Sequence, residues 1–355
     1  MHHSSRGCSN AAGQRARIFD LDQCCVVLGA SIVVWIGGVR LTIYVDRISG
    51  LTGIGQVFAG MLLLGCITSL PEVANAITAA STGTPALAIN NILGSAAINV
   101  FLLAIGDGFV RRDALTSVVA SPATLMMSVL CMLVLILVAI AITTGDVLLF
   151  GVGAWGLALA IVSVVSFWIS SGYGQRSPWS VSDEEKGSKM EEGEIDDGGS
   201  LSEALWKAAL AGAAIFVAGY MLSQTGDALA QQTGLGAGMV GFALIGIATS
   251  TPELSTIVQS IRMERYEMAF GQVLGTNFVN LSLIVLTDAA FPGGPVINTL
   301  GRFEVLSSLL GAALVGIFMI GLLERRDAVI FRMGYDSFAV IVVFVAGLGA
   351  LALIQ

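Results

Sequence analysis

The residues GCITSLPE, at positions 65–72, lie within a long apolar segment, and a close copy, GIATSTPE, occurs at positions 246–253. When the chain is shifted by 181 positions, residues 52–107 align with residues 233–288 without a gap, and 16 of the 56 aligned pairs are identical. The identical pairs include Pro, Glu, Asn and Asp. Membrane segments rarely contain charged residues, so shared hydrophobic composition does not explain the match. The chain therefore contains an internal repeat.

The composition places this repeat in a membrane. The chain has 355 residues, of which 55% are hydrophobic and 12% are charged, and its mean hydropathy is +0.85. Soluble domains contain about 25% charged residues, and a transmembrane helix needs about 20 mostly apolar residues. These numbers exclude a soluble enzyme, a secreted disulfide scaffold and a disordered protein. The net charge of −8 predicts no nucleic-acid binding.

Charged and turn residues divide the chain into ten apolar segments, which we predict to be transmembrane helices. The sequence predicts an all-α polytopic membrane protein with ten helices, in two inverted five-helix repeats whose second and seventh helices are broken. Since five is odd, the second copy enters the membrane from the opposite face. The predicted parts are an N-terminal tail (1–21), a first repeat (22–172), an acidic linker (173–203) and a second repeat (204–355). The predicted segments are 22–45, 55–82, 85–106, 117–143, 146–172, 204–230, 236–261, 267–288, 303–323 and 334–354.

The repeated motif offers oxygen ligands for a cation. Pro71 cannot donate a helical hydrogen bond and frees the carbonyl oxygen of Ile67. Thr68 and Ser69 precede Glu72 by four and three residues, so their hydroxyls share a helix face with its carboxylate. Such an all-oxygen set suits Na⁺ and Ca²⁺ better than softer transition metals. A carboxylate at the bilayer centre costs at least about 2.5 kcal/mol, so we interpret the matched glutamates as functional. The alternative is a structural Glu that is protonated and hydrogen-bonded, or one that forms an ion pair with Arg40.

A second pair of segments repeats this arrangement with neutral groups. Asn91, Ser95 and Asn99 recur every four residues and form one polar stripe on a helix. Gly94 lies on the same helix, and a small residue there allows another helix to approach closely. We expect the stripes to line the site beside the glutamates, whereas simple interhelical hydrogen bonding is the alternative. The matched stripe in the second repeat is Gln272, Thr276 and Asn280, beside Gly275 and Asn277.

Both motifs resemble the alpha-repeats of the cation/Ca²⁺ exchanger superfamily, specifically of its sodium/calcium exchanger branch. The pattern G-x-x-T-S-x-P-E stands at 65–72 and 246–253, and the second motif reads GSAAIN at 94–99 and GTNFVN at 275–280. The resemblance implies the exchanger fold and antiport of Ca²⁺ against another cation by alternating access. Carried over residue by residue, it implies that Ca²⁺ and Na⁺ bind at Glu72, Thr68, Ser69, Gly65, Glu253, Thr249, Ser250, Gly246, Ser95, Thr276, Asn99 and Asn280.

Two positions depart from the family pattern. Some relatives, including potassium-dependent ones, have Asp where Asn280 stands, so this site contains one carboxylate fewer. Asn90 replaces a Gly that the matched position, Gly271, retains. Both departures bear on ion selectivity rather than on the fold.

From these observations we predict a secondary-active antiporter, and not an enzyme, that exchanges Ca²⁺ for Na⁺ at a two-glutamate site near the membrane midplane. H⁺ coupling, or exchange of another divalent cation on the same carboxylates, is the alternative. A channel or sensor is disfavoured because neither needs duplicated halves with broken helices. The expected partners are Ca²⁺, Na⁺ and the lipid bilayer. No prosthetic group is expected, and the sequence does not indicate an oligomeric state.

The distribution of Lys and Arg predicts the orientation, because positively charged loops stay cytoplasmic. With the N-terminus outside, thirteen of the seventeen basic residues lie on or near the cytoplasmic side. The C-terminus is then also outside and the acidic linker cytoplasmic. We interpret this linker as a solvated tether, with a Ca²⁺-sensing role as the alternative. The compact size favours a multi-pass protein of the bacterial inner membrane.

The orientation can be tested with single cysteines in a background that lacks the native ones. We expect an impermeant maleimide on intact cells to label Gly294→Cys, in a predicted external loop, and not Ser188→Cys, in the linker. Labelling of both variants after permeabilisation is the control for reactivity. The opposite pattern on intact cells would mean that the predicted topology is inverted.

Overall fold

The computed structural model describes residues 21–110, 114–119, 121–173, 200–233, 237–324, 329–330 and 333–354. Nearly all of the predicted N-terminal tail and most of the predicted acidic linker lie outside these residues. Within the described part, long helices account for most of each repeat, and strands occur only as two short hairpins.

The first repeat contains five long helices. A short helical turn, Leu115–Val118, precedes the fourth, and an antiparallel hairpin precedes the fifth. The elements are α1 (Leu21–Thr52), α2 (Gln56–Ser81), α3 (Pro85–Asp107), α4 (Pro122–Thr144), β1 (Leu148–Leu149), β2 (Val152–Gly153) and α5 (Ala154–Tyr173).

The second repeat has the same order of elements. Its second helix begins with a short turn, Ala237–Met239, and continues as two segments, and its second hairpin again precedes the last helix. The elements are α6 (Leu201–Thr233), α7 (Val240–Thr249 and Thr251–Arg262), α8 (Tyr266–Ala290), α9 (Arg302–Glu324), β3 (Val329–Ile330), β4 (Met333–Gly334) and α10 (Tyr335–Leu353), with a 3₁₀ turn at Val296–Thr299.

This architecture confirms the predicted all-α polytopic membrane protein. Among the described residues, nine helices are long and apolar enough to cross a membrane, and the bent pair in α7 makes a tenth. Most observed bounds lie within a few residues of the predicted segments. The first helix, however, continues to Thr52 instead of ending at residue 45, and the fifth helix begins at Ala154 instead of residue 146. The residues between form the β1–β2 hairpin, where Gly145 and Gly151 adopt φ of 75° and 87°, a conformation that glycine adopts without strain.

The interruption of the two motif helices differs in extent. The segments of α7 are bent by 48°, with the interruption at Ser250. In α2 the regular helix is interrupted at Ser69, yet Gln56–Ser81 runs as one span. Both helices also contain a π-helical stretch just before the motif, at Gly60–Leu64 and Val240–Ile245. The seventh helix is therefore bent as predicted, and the second is distorted without a comparable bend.

The helices that carry the repeated motifs form the centre of the molecule. α3 and α8 are the most buried spans and contact each other, while α2 lies along α8 and α7 lies along α3. α1 lies beside α6, and α4 beside α9. Less than a third of the residues in the apolar spans of α1, α5 and α10 is buried, as expected for helices that face lipid. The motif of each repeat is thus packed against the other repeat.

An aspartate at the C-terminal end of α3 joins the two repeats. The carboxylate of Asp107 accepts one hydrogen bond from the backbone N–H of Leu115 at 2.7 Å, in the following loop. It accepts a second from the backbone N–H of Gly334 at 2.6 Å, in the hairpin that precedes α10. One side chain therefore holds a loop of the first repeat and a hairpin of the second.

The matched aspartate at the end of α8 makes the corresponding contacts. Asp288 accepts hydrogen bonds from the backbone N–H of Val296, at 2.6 Å, and from that of Gly153, in the hairpin that precedes α5. Val296 and Gly153 are separated by 181 positions from the partners of Asp107. Because the repeats are inverted, the two anchors lie at opposite faces of the membrane.

We expect Asp107→Asn and Asp288→Asn each to destabilise the protein, because an amide nitrogen would face a backbone N–H and leave it unpaired. The expected loss is about 1–3 kcal/mol for each variant, measured as a lower midpoint of thermal unfolding in detergent. Glu203→Gln, which removes an exposed helical ion pair to Lys207, is the control and should leave the midpoint nearly unchanged, because exposed ion pairs contribute little to stability. An unchanged midpoint in both aspartate variants would show that these contacts do not hold the loops.

Candidate cation site

Close contacts between backbones bring the motifs of the two repeats together. A Cβ on Gly94 of α3 would lie 2.7 Å from the Cα of Phe242 in α7. A Cβ on the matched Gly275 of α8 would lie 2.7 Å from the Cα of Met61 in α2. No side chain fits at such a separation, so these glycines set the distance between the crossing helices.

The two motif glutamates lie at this junction and are completely buried. Glu72 and Glu253 are both 0% exposed, and each follows its proline in the first turn of a helical segment. The positive end of a helix favours negative charge at that position. Glu253 is close enough to Glu72 for their charges to interact directly. The structure therefore brings together the two carboxylates that the sequence predicted as a pair.

Each glutamate faces the threonine of the opposite repeat. Glu72 lies beside Thr249, and Glu253 lies beside Thr68. The hydroxyl of Ser95 is 3.4 Å from Glu72 Oε1 and 3.1 Å from Thr249 Oγ1. The site is thus assembled across the pseudo-twofold axis, and neither repeat contains a complete set of its groups.

Asparagines form a second group of buried polar side chains, on α3 and α8. Asn99 Nδ2 donates to Asn277 Oδ1 at 3.4 Å, and Asn277 Nδ2 donates to the carbonyl oxygen of Ala96 at 3.3 Å. Asn280 is 0% exposed, and neither atom of its side-chain amide has a partner among the described residues. This group contains only neutral side chains.

Many oxygen atoms in the site are buried and unpaired, which is costly in a protein interior. An unsatisfied buried polar group costs about 1–3 kcal/mol, and more if it is charged. A hard cation would satisfy carboxylate, amide and hydroxyl oxygens at once. The donor set therefore fits Na⁺ or Ca²⁺. Within the described part of the chain, the unpaired oxygens here are Glu72 Oε2, Glu253 Oε1 and Oε2, Ser250 Oγ, Thr276 Oγ1, Asn99 Oδ1 and Asn280 Oδ1.

Other predicted ligands are engaged in their own helix. Thr68 donates to the carbonyl oxygen of Leu64 at 3.0 Å, and Ser69 donates to that of Gly65 at 2.8 Å. The carbonyl oxygen of Gly246 accepts from Thr249 at 3.3 Å. Each hydroxyl oxygen keeps lone pairs for a cation, because donation uses only its proton. All twelve predicted ligand residues lie in the buried centre or on its helices.

Two amides outside the predicted ligand set also take part. Asn91 Oδ1 accepts a hydrogen bond from Thr249 Oγ1 at 3.1 Å, and Asn277 connects α8 to α3 through Ala96. Asn91 lies on a polar stripe of the sequence, and Asn277 lies one residue away from the matched stripe. The repeat did not single them out, because their matched residues, Gln272 and Ala96, are not identical to them.

These features define a class of protein, namely a membrane transporter whose inverted repeats place two glutamates opposite each other. The sequence pattern of the sodium/calcium exchanger protein family matches residues 24–171 and 204–346. The chain belongs to this family, which confirms the resemblance found in the motifs. The family consists of exchangers, so the chain is a transport protein with multiple membrane spans.

Individual relatives agree with this assignment. Inner membrane protein YrbG of Escherichia coli (strain K12) is 25% identical over 287 residues, which cover 79% of this chain and 81% of YrbG. Sodium/calcium exchanger MaX1 of Methanosarcina acetivorans is 23% identical over 151 residues, covering 41% of this chain and 43% of MaX1. The structure of the sodium-calcium exchanger NCX_Mj soaked with 2.5 mM Na⁺ and 0.1 mM Ca²⁺ has a TM-score of 0.69 at 14% identity, covering 94% of this chain and 99% of NCX_Mj. This last similarity confirms the fold.

We expect Gly94→Ala and Gly275→Ala to separate the crossing helices and to abolish cation exchange, because the added methyl group would overlap the backbone of the partner helix. The measurement is ⁴⁵Ca²⁺ uptake into proteoliposomes together with the midpoint of thermal unfolding. Gly29→Ala is the matched control, since a Cβ there meets nothing within 4 Å. Normal uptake by both site variants would show that this close approach is not required.

Proposed function

We propose that the chain is a secondary-active antiporter that exchanges Ca²⁺ for Na⁺ by alternating access at the site between Glu72 and Glu253. The observation that carries the proposal is the pair of fully buried glutamates, whose carboxylate oxygens are largely unpaired at the junction of the repeats. A membrane interior tolerates such charges mainly where they serve transport.

Electrostatics explains why one site can exchange two kinds of ion. Two ionised carboxylates close together repel each other unless a cation or a proton lies between them. One Ca²⁺ neutralises the pair, and Na⁺ ions can replace it at the same oxygens. Because both ions need the same negative pocket, binding of one excludes the other. An unloaded pocket keeps an uncompensated buried charge, which costs several kcal/mol and disfavours the conformational change without cargo.

The other predicted ligands complete the coordination with neutral oxygens. Ca²⁺ takes six to eight oxygen ligands, and two carboxylates supply at most four of them. Hydroxyls and amides from both repeats can supply the remainder. With Asn280 in place of a third acid, we infer that the site carries two negative charges rather than three. The proposed neutral ligands are Thr68, Ser69, Ser95, Asn99, Thr249, Ser250, Thr276 and Asn280, with the backbone carbonyls of Gly65 and Gly246.

The relatives support this choice of ions. MaX1 is named a sodium/calcium exchanger, and NCX_Mj structures were obtained with Na⁺, Ca²⁺ or Sr²⁺ in the soak. YrbG is named an inner membrane protein, in agreement with the inner-membrane location that we propose here. The distribution of Lys and Arg, rather than the relatives, supports a cytoplasmic linker and external termini, which we propose on that ground.

The function is tested by ⁴⁵Ca²⁺ uptake into sealed proteoliposomes that contain the purified protein. We expect an outward Na⁺ gradient to drive uptake, and equal Na⁺ on both sides to abolish net accumulation. Uptake driven by an outward H⁺ gradient alone would indicate proton coupling at the same carboxylates. Uptake that needs no opposing ion would identify a channel and contradict antiport.

We expect Glu72→Gln and Glu253→Gln each to abolish Ca²⁺ exchange while the protein remains folded and inserted in the membrane. The amide keeps the size of the side chain and removes the charge that balances Ca²⁺. Glu203→Gln, at an exposed position of α6, controls for the loss of a negative charge elsewhere. Near-normal flux in either well-expressed site variant would refute the two-glutamate site.

A further inference from the structure

A file of polar side chains leads from the site toward the C-terminal end of α7. Thr256 and Ser260 follow Glu253 by three and seven residues, so all three lie on one side of α7. Gln272 of α8 donates a hydrogen bond to Thr256 Oγ1. Thr256, Ser260 and Gln272 are each 0% exposed. These hydroxyl and amide groups extend the polar interior beyond the proposed cation ligands.

Two of these groups have unpaired oxygens that the central site does not use. Gln272 Oε1 and Ser260 Oγ lack any hydrogen-bond partner among the described residues. Thr256 Oγ1 donates to the carbonyl oxygens of Pro252 and Glu253, at 3.0 and 2.9 Å, and accepts from Gln272, which leaves one lone pair free. Unpaired buried oxygens are costly, and a passing cation or its water would pair with them.

An ion pair lies at the far end of the file. The backbone N–H of Arg265 donates to the carbonyl oxygen of Ser260 at 2.8 Å, which fixes Arg265 directly beyond Ser260. Arg265 Nε is 2.8 Å from Asp46 Oδ1 of α1, and both side chains are about four-fifths buried. The pair joins α1 to the α7–α8 turn, next to Ser260.

The first repeat lacks this arrangement at the matched positions. Ala79 stands where the second repeat has Ser260, and Thr84 stands where it has Arg265. Asn75, matched to Thr256, is engaged by donating to Ser223 Oγ of α6 at 2.8 Å. The file and its ion pair therefore belong to one face of the membrane, which the charge distribution predicts to be cytoplasmic.

We propose that Thr256, Ser260 and Gln272 form a cation pathway between Glu253 and that face, and that the Asp46–Arg265 ion pair closes its end. The ligand is a partly dehydrated cation of the kind that the central site exchanges, so this inference rests on the proposed function. Neutral oxygens suit a pathway, because ions must leave it again as readily as they enter. Opening the ion pair would leave Asp46 free to attract cations at the entrance.

The test measures how fast single introduced cysteines react, in a background that lacks the native cysteines. The protein is held in nanodiscs, which expose both of its membrane faces to the reagent. We expect a charged methanethiosulfonate reagent to modify Ser260→Cys several times faster than Ala79→Cys, its matched control in the first repeat. Ca²⁺ should slow the modification of Ser260→Cys, and Asp46→Asn should accelerate it. Equal rates at both positions, or no effect of Asp46→Asn, would overturn the pathway.

A transport measurement separates this proposal from the proposed function. Ser260→Ala removes only a hydroxyl and should slow ⁴⁵Ca²⁺ exchange, whereas Ala79→Ser should leave it unchanged. Exchange by the parent protein with no effect of Ser260→Ala would refute the pathway and leave the exchanger intact. Absence of exchange by the parent under every ion gradient would refute the proposed function itself. If Ser260→Cys does not fold, the rate of exchange by Ser260→Ala still tests the pathway.

Discussion

The burial of two carboxylates in the membrane interior is the constraint on which the rest of this structure depends. Glu72 and Glu253 have no exposed surface, and each would be strongly unfavourable alone in hydrocarbon. Their surroundings reduce that cost by two means: the N-terminal ends of two helical segments and hydroxyls from the opposite repeat. The cation that we propose to bind there would reduce it further. The glycines at the crossings, the interruptions at Ser69 and Ser250, and the polar stripes on α3 and α8 all serve to build this environment.

Much of the fold could be predicted because the determining signals are local. Apolar segments of about 20 residues define spans, and a matched Pro and Glu in each repeat defines both the interruption and the charge. The pairing of Glu72 with Thr249, and of Glu253 with Thr68, could not be predicted, since it depends on how the helices cross. The same holds for Asn91, whose contact with Thr249 lies between repeats. The later start of α5 escaped prediction because apolar residues of the β1–β2 hairpin resemble a span.

Symmetry and its violations have different roles. Matched pairs such as Asp107 and Asp288 maintain equivalent contacts at the two faces. A loop and a hairpin are therefore held in the same way at each face. Positions that differ between repeats, such as Ser260 and Ala79 or Arg265 and Thr84, make the two faces chemically unequal. An exchanger works between two compartments that differ in ion composition. The polar groups between the site and each compartment can therefore differ, even though the site itself is built from matched residues.

The crossed arrangement of the motifs has a consequence for biosynthesis. α2 packs against α8 and α7 against α3, so neither glutamate acquires its final neighbours until the second repeat has been made. Glu253 follows Glu72 by 181 residues, and at about 5–20 residues per second the ribosome needs about 10–40 s to cover that distance. During this interval the number of helices already made rises from two to six, and their polar surface is incomplete. The yield of functional molecules would then depend on how well such intermediates are protected in the membrane as well as on the stability of the finished protein.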